Sequence, residues 1–383
     1  MVDAPLNIDK LIDLRHELHK YPEVSNQEES TAKRITDYLK STEPDDLIND
    51  IGQYGIAAIY NGEKDGPTVM IRCELDALPI EEVNDIEYKS VNEGVGHKCG
   101  HDGHMAILCG LATMLSENRP SKGRVILLFQ PAEETGEGAR RILDDEKFQA
   151  LEPDFIYALH NLPGFEKNQI VIKDNIFASA SRGLTVKLKG SPTHASHPEN
   201  GRNPALAASE IVQHLFEIPQ MHTAFHKASL ITPIHMQVGK PSFGTSPGDG
   251  IVMATLRTHT DGDMSEIADK ALEVISKIAD VHDLEVETSW SEEFEAVKNN
   301  ENCMRFIKSV AEKLDIDTCV VEHPFPWSED FGLFTGHYNG ALFGLGSGVE
   351  QPQLHNNDFD FPDDIIETGV VMFREIIDQI LKD

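Results

Sequence analysis

The stretch Arg124-Val125-Ile126-Leu127-Leu128-Phe129-Gln130-Pro131-Ala132-Glu133-Glu134 sets the fold class of this chain. Val125 to Phe129 is apolar without alternation, the pattern of a strand covered on both faces, and such strands belong to largely parallel sheets. Pro131 ends the run. Glu133 and Glu134 therefore stand beyond the strand's carboxyl end, the edge at which open α/β sheets receive ligands. Working outward, Gly55 to Tyr60, Thr68 to Cys73, Phe155 to Leu159 and Ala341 to Leu345 read as further strands. Helical periods lie between and around them, at Ile8 to Lys20, Thr31 to Leu39, Met105 to Leu115, 301–313 and Asp364 to Leu381. Asp102 stands where it would cap the third of these. Helices alternating with buried strands predict an α/β domain whose mixed sheet is largely parallel and flanked by helices.

Near residue 180 the pattern changes. Leu184 to Leu188 (LTVKL) and Leu284 to Thr288 (LEVET) alternate like half-exposed strands. Between them lie helical segments at Pro204 to Leu215 and Met264 to Ala279 and a strand near Ile251 to Arg257. The expected organisation is one domain of residues 1–180 and 293–383, interrupted by a smaller α+β domain of 181–292. Two domains suit 383 residues, and 40% apolar with 26% charged residues is the balance of a globular chain.

Sixty-five acidic against 33 basic residues leave a net charge of −32, which argues against nucleic-acid or anionic-membrane partners. No stretch approaches the apolar length of a membrane span. The start MVDAPLNIDK lacks the basic and apolar parts of a secretory signal, so a cytoplasmic location is expected. Five irregularly spaced cysteines make no disulfide framework; a special cysteine here would be a ligand or a reactive thiol.

The densest chemistry is Gly96-His97-Lys98-Cys99-Gly100-His101-Asp102-Gly103-His104. Cys99 and His101 straddle one residue just before a helix, so both can turn toward one ion. Thiolate with imidazole suits zinc, manganese, cobalt or nickel better than magnesium or calcium. A solvated, histidine-rich loop is the alternative. Glu133 and Glu134 offer one carboxylate for a cation and one for a proton, or else form an acidic turn. His160 ends a buried run, and His355 follows the glycine-rich Gly344 to Gly348, so four segments bring such groups to one sheet edge. Two patterns lead elsewhere. Gly244-Thr245-Ser246-Pro247-Gly248 fits the nucleophile elbow of serine hydrolases, but Pro247 lacks the N–H that an oxyanion hole needs there. His16-Glu17-Leu18-His19 spaces its histidines i, i+3 rather than the i, i+4 of a zinc-protease helix, and both patterns are read as structural.

Taken together, the chain resembles the M20 metallopeptidase family, in its amidohydrolase branch, subfamily D. That branch holds hippurate hydrolases, aminoacylase-like N-acyl-amino-acid amidohydrolases, N-acetyldiaminopimelate deacetylases and auxin-conjugate hydrolases. The motifs that carry the resemblance run from Leu14-Arg15-His16-Glu17-Leu18-His19-Lys20-Tyr21-Pro22-Glu23 and Glu74-Leu75-Asp76-Ala77-Leu78-Pro79-Ile80 through the Gly96 to His104 cluster and Pro131-Ala132-Glu133-Glu134. They continue with Gly190 to Ala195, Thr255 to Thr258, Ser328-Glu329-Asp330-Phe331 and the His355 segment.

The resemblance implies a catalytic domain holding two divalent metal ions per chain, manganese or zinc with cobalt or nickel possible, and a smaller lid domain that forms a homodimer. It implies Cys99, His101, Glu134, His160 and His355 as ligands, Glu133 as general acid and base, and hydroxide attack on the amide of a small N-acyl amino acid of N-acetyl or N-benzoyl type. It further implies His194 as a hydrogen-bond donor to the oxyanion, Arg257 as the grip on a substrate carboxylate, and Asp76 as support behind the metal site. For His194 the plain residue chemistry favours a surface histidine in a polar turn, and for Arg257 a strand-end arginine on a surface salt bridge is nearly as well supported. Glu74 stands where relatives often carry aspartate and receives no role. A departure lies at Gly244 to Gly250, where many relatives have an Asn-Val-Ile-Pro pattern, and it bears on substrate preference. The alternatives are a dipeptidase or N-acetyldiaminopimelate deacetylase of the same fold, a metal-binding protein without turnover, and a serine hydrolase acting through Ser246.

Overall fold

The computed structural model describes residues 6–224 and 227–382; the first five residues of the start read for a secretory signal lie outside them. The chain divides into two compact units, one running to Phe177 and including Val297–Pro324 and the segment from Glu329 on, the other Ala178–Ala296 with Phe325–Ser328. Residues 325–328, which the sequence pattern left in the outer segment, thus belong with the inner one. There Ser179 donates through its N–H to the carbonyls of Phe325 and Trp327.

The larger unit is built on an eight-stranded mixed sheet flanked by helices. Its first six strands in the chain are β1 (Asp46–Ile51), β2 (Gly55–Asn61), β3 (Lys64–Glu74), β4 (Lys122–Gln130), β5 (Phe155–Pro163) and β6 (Ile170–Ile172). β4, β3, β5 and Asn339–Gly348 lie side by side and parallel; β2 joins that row antiparallel beside β4, and β1 pairs antiparallel with β2. Val125 to Phe129 of β4 are all at 0% exposure, as an unalternating apolar run requires when both faces are covered.

Helices α1 (Ile8–Lys20), α2 (Glu29–Lys40) and α3 (His101–Glu117) pack with Ile366–Ile380 around the sheet. α3 is buried through most of its length, which is why it is apolar almost all round rather than striped. At Gly110 a Cβ would lie 2.7 Å from Leu11 and 2.8 Å from Val370, so glycine is what allows three helices to meet there. α3 begins earlier than its apolar period indicated. Gly100 is its N-cap, with φ 97°, and Asp102 lies in the first turn, where it makes no cap bond.

The smaller unit has a four-stranded antiparallel sheet in the order Ser229–Val238, Asp249–Thr258, Ala180–Lys189, Glu285–Phe294. Helices Ala205–His222 and Asp261–Val281 pack against it. No helix among the described residues is long and apolar enough to cross a membrane.

Candidate metal centre

The carboxyl ends of β3, β4 and β5 and the start of α3 carry the clustered groups. Beyond β3, Asp76 is fully buried and accepts from Ser25 Oγ at 2.7 Å and from the Glu134 N–H at 3.0 Å. Beyond β4, the chain turns at Ala132, a non-glycine residue with φ 52° whose N–H donates to Glu28 Oε1 at 2.7 Å. That turn sets Glu133 Oε2 and Glu134 Oε1 3.8 and 3.9 Å from His101 Nε2.

Gly100 separates Cys99 from His101, and a Cβ on it would lie 2.4 Å from Asn161 Oδ1. The tight turn that exposes both neighbours to one space therefore needs glycine for its φ and for its closeness to β5. Cys99 Sγ lies 3.4 Å from Nε2 of His160 on β5. His355 also holds a positive φ, 66°, with its N–H donating to the Lys98 carbonyl at 2.7 Å. Its Nε2 is 3.5 Å from Glu134 Oε2.

Donor atoms of Cys99, His101 and His160 lie within 4.8 Å of one another, as do those of Cys99, Glu134 and His355 and those of His101, Glu133 and Glu134. The fold thus gathers Cys99, His101, Glu133, Glu134, His160 and His355, with Asp76 behind them.

These groups fit a cation. His101 Nε2 and Glu134 Oε1 are buried with no hydrogen-bond partner, a costly arrangement unless something positive completes it. Burial, then the charges of Glu329 and Glu134, push the Glu133 carboxyl well above its ordinary range. Burial also pushes Glu134 up to about 7, with His101 opposing, and burial with Glu134 and Glu133 raises the Cys99 thiol. Burial alone would lower His101, but Asp76, Glu74 and Glu134 outweigh it and raise it to about 10. So many groups held off their ordinary charges around one space are what burial, with repulsion among neighbouring carboxylates, produces, and divalent charge relieves it. Thiolate, imidazole and carboxylate together favour zinc, manganese, cobalt or nickel.

The other two predicted residues lie in the smaller unit. His194, exposed, sits on the short strand Thr193–His194 paired with Thr245–Ser246, and its Nδ1 is 2.6 Å from Ser196 Oγ. Arg257 donates to the Pro326 carbonyl at 2.9 Å and to Ser328 Oγ at 3.1 Å. It lines a cavity of about 240 Å³ with Ser179, Lys227 and His259. Ser246 accepts from Asn203 Nδ2 at 3.0 Å and lies on a short strand between two other strands, not between strand and helix.

Several neighbours of the cluster received no role from the sequence. Glu74 accepts from His104 Nδ1 at 2.7 Å and pairs with the fully buried Arg72, whose Nη2 also meets Asp330 at 2.6 Å and Glu329 at 3.0 Å. The signal available was Arg72 itself, a charge within the otherwise apolar Val69 to Cys73, since a cation so placed must find buried carboxylates.

The model of peptidase family M20/M25/M40 matches residues 70–379. The chain is 30% identical to N-acetyl-L-cysteine deacetylase of Bacillus subtilis, over 92% of this chain and 84% of that protein. It is 26% identical to hippurate hydrolase of Campylobacter jejuni, over 96% of each. Among solved structures, a dinuclear metal-binding peptidase of the M20 family from Bacillus subtilis superposes with a TM-score of 0.83 at 26% identity, covering 98% of both chains.

Proposed function

The chain belongs to peptidase family M20/M25/M40, and from that premise we propose that it is an amidohydrolase cleaving small N-acyl amino acids at a centre of two divalent cations. The observation that carries this function is the convergence of thiol, imidazole and carboxylate donors with one carboxylate, Glu133, beside them. Cys99, His101, Glu134, His160 and His355 would hold the ions, manganese or zinc in the first place and cobalt or nickel as substitutes. When bound, such ions supply positive charge that polarises an amide carbonyl and acidifies water.

Glu133 takes a proton from the attacking water and delivers it to the departing amine nitrogen, so that amide and water leave as carboxylate and amine. Asp76 orients His101, whose Nδ1 lies 2.8 Å from the Asp76 carbonyl oxygen and 3.5 Å from its carboxylate. In the smaller unit, His194 donates to the developing oxyanion and Arg257 grips the substrate carboxylate.

A homodimer through the smaller unit is supported by Leu230, Ile234 and Met236, 51–61% exposed on the edge strand Ser229–Val238. Free cysteines throughout the chain support a cytoplasmic location.

The test is amine release from N-acetyl, N-benzoyl and dipeptide substrates after chelation and reloading with Mn²⁺, Zn²⁺, Co²⁺ or Ni²⁺. Metal-dependent turnover is expected, falling about 10²–10⁴-fold in Glu133→Gln at unchanged metal content. Two ions bound with no turnover on any substrate, or an unaffected Glu133→Gln enzyme, would overturn it.

A further inference from the structure

The motif Arg15 to His19, set aside by its spacing as a metal helix, lies wholly inside the larger unit. Arg15 and His19 are both at 0% exposure. Their partners flank the turn that carries Cys99 and His101. On the far side of the turn, Asp102 Oδ2 accepts from Arg15 Nε at 3.1 Å and from His19 Nδ1 at 2.8 Å. On the near side, the Lys98 ammonium donates to Glu82 Oε1 at 2.7 Å and to the Phe359 carbonyl at 2.8 Å.

His19 joins the two sides, because its Nε2 donates to the same Glu82 oxygen at 3.0 Å. Arg15 Nη2 continues the chain to the Asp360 carboxylate and to the Phe361 carbonyl at 3.2 Å. Lys98 adds a third tie, since its carbonyl accepts the N–H of His355.

Shared partners tie these groups into one network. Three cations, Arg15, His19 and Lys98, face the carboxylates of Glu82, Asp102 and Asp360, with Asp363 3.6 Å from Arg15 Nε as a fourth. The imidazole is a cation because carboxylates stand at both of its nitrogens. Buried ion pairs are retained where they fix geometry more than where stability alone is needed.

We infer that Arg15 and His19 are positioning residues of the metal centre, α1 clamping both ends of the Cys99–Gly100–His101 turn and the backbone of His355. Neither residue touches substrate or ion. Each acts through Asp102 and through the Glu82–Lys98 pair. The inference rests on the ligand set given under Proposed function, and it adds an element, α1, that contributes no ligand.

The test uses the full chain loaded with Co²⁺, which reports thiolate and imidazole geometry through its charge-transfer and ligand-field bands. In His19→Gln, affinity for Co²⁺ in competition with a chelator should fall about 10–100-fold, the usual range when a group behind a ligand is removed, and the thiolate band should shift. Ile307→Ala serves as control: it lies in the core on helix Glu301–Lys313, which carries none of these residues. It should lose thermal stability with affinity and spectrum unchanged.

Should His19→Gln fail to fold, the charge-balanced pair His19→Gln with Glu82→Gln is measured the same way, with the same expected loss. Wild-type affinity and spectrum in whichever variant folds would overturn the positioning role. No Co²⁺ binding by the unaltered chain would overturn the ligand set itself, a separate outcome from a variant that binds normally.

Discussion

The larger unit holds completely buried ion pairs besides exposed ones such as Lys33 with Asp37, whereas the ion pairs of the smaller unit reach the surface. In the larger one, Arg15, Arg72 and Lys98 have side chains at 0% exposure and face carboxylates that are mostly buried as completely, Glu74, Glu82, Asp102, Glu329 and Asp330. In the smaller one, Lys189 with Glu285, Arg202 with Asp283 and Lys277 with Glu273 leave both partners at least 44% exposed. A surface pair contributes little because water competes for both ions. A buried pair fixes geometry, and removing one member leaves an uncompensated charge. The net charge of −32 therefore mixes two populations, solvated surface carboxylates and interior carboxylates committed to particular cations beside the candidate ligand cluster.

The largest effect expected from this contrast is at Arg72. Arg72→Met nearly conserves volume but strands Glu74, Glu329 and Asp330 without their cation, and should cost about 3–5 kcal/mol. Denaturant unfolding would measure it. Adding Asp330→Asn to Arg72→Met should recover part of the loss, since burial already disfavours the charge that Asp330 would carry without Arg72. A loss below about 1 kcal/mol for the single variant would erase the distinction between the two units.

Arg72 also shows where the sequence stops being legible. The α/β class was plain because runs such as Val125 to Phe129 have one physical explanation. The Gly96 to His104 cluster was plain because ligand-capable groups are rarely so dense. The partners of Arg72 were not plain: Asp330 and Glu329 lie more than 250 positions away, and only the order of strands decides which carboxylate meets it. The parallel register that pairs Arg72 with Leu128 and Glu74 with Gln130 brings the Gln130 amide to the same cluster, where it accepts from Arg72 Nε at 2.8 Å. His19 was obscured for another reason. Its spacing excluded one known ligand pattern, and spacing says nothing about hydrogen bonds to Glu82 and Asp102, 63 and 83 positions on.

A smaller effect is expected from pH. Burial opposes charge on His19, but hydrogen bonds to Asp102 and Glu82 outweigh it and raise its pKa from 6.5 to about 9. A raised histidine contributes stability that is fully present below pH 6.5 and is lost as pH rises through about 9. The amount is on the order of 3 kcal/mol at about 1.4 kcal/mol per unit. Unfolding free energies at pH 6 and pH 9.5 should therefore converge between the native chain and His19→Gln as pH rises. A gap independent of pH would mean that packing, not charge, is what His19 supplies.

The smallest effect belongs to the surface of the smaller unit. Lys189 Nζ lies 3.0 Å from Glu285 Oε2, with the side chains 74% and 78% exposed. The two residues pair across neighbouring antiparallel strands, a placement in which opposite charges contribute only about 0.2–1 kcal/mol. Lys189→Ala should therefore lower unfolding free energy by less than about 1 kcal/mol in dilute buffer. The difference should vanish in 1 M salt, where the screening length shrinks to about 3 Å. The same salt should leave the penalty of Arg72→Met nearly unchanged, because ions do not reach a side chain at 0% exposure. Opposite responses to one reagent separate the two kinds of charge more cleanly than either magnitude does, and a salt-sensitive Arg72 penalty would show that its cluster opens to solvent.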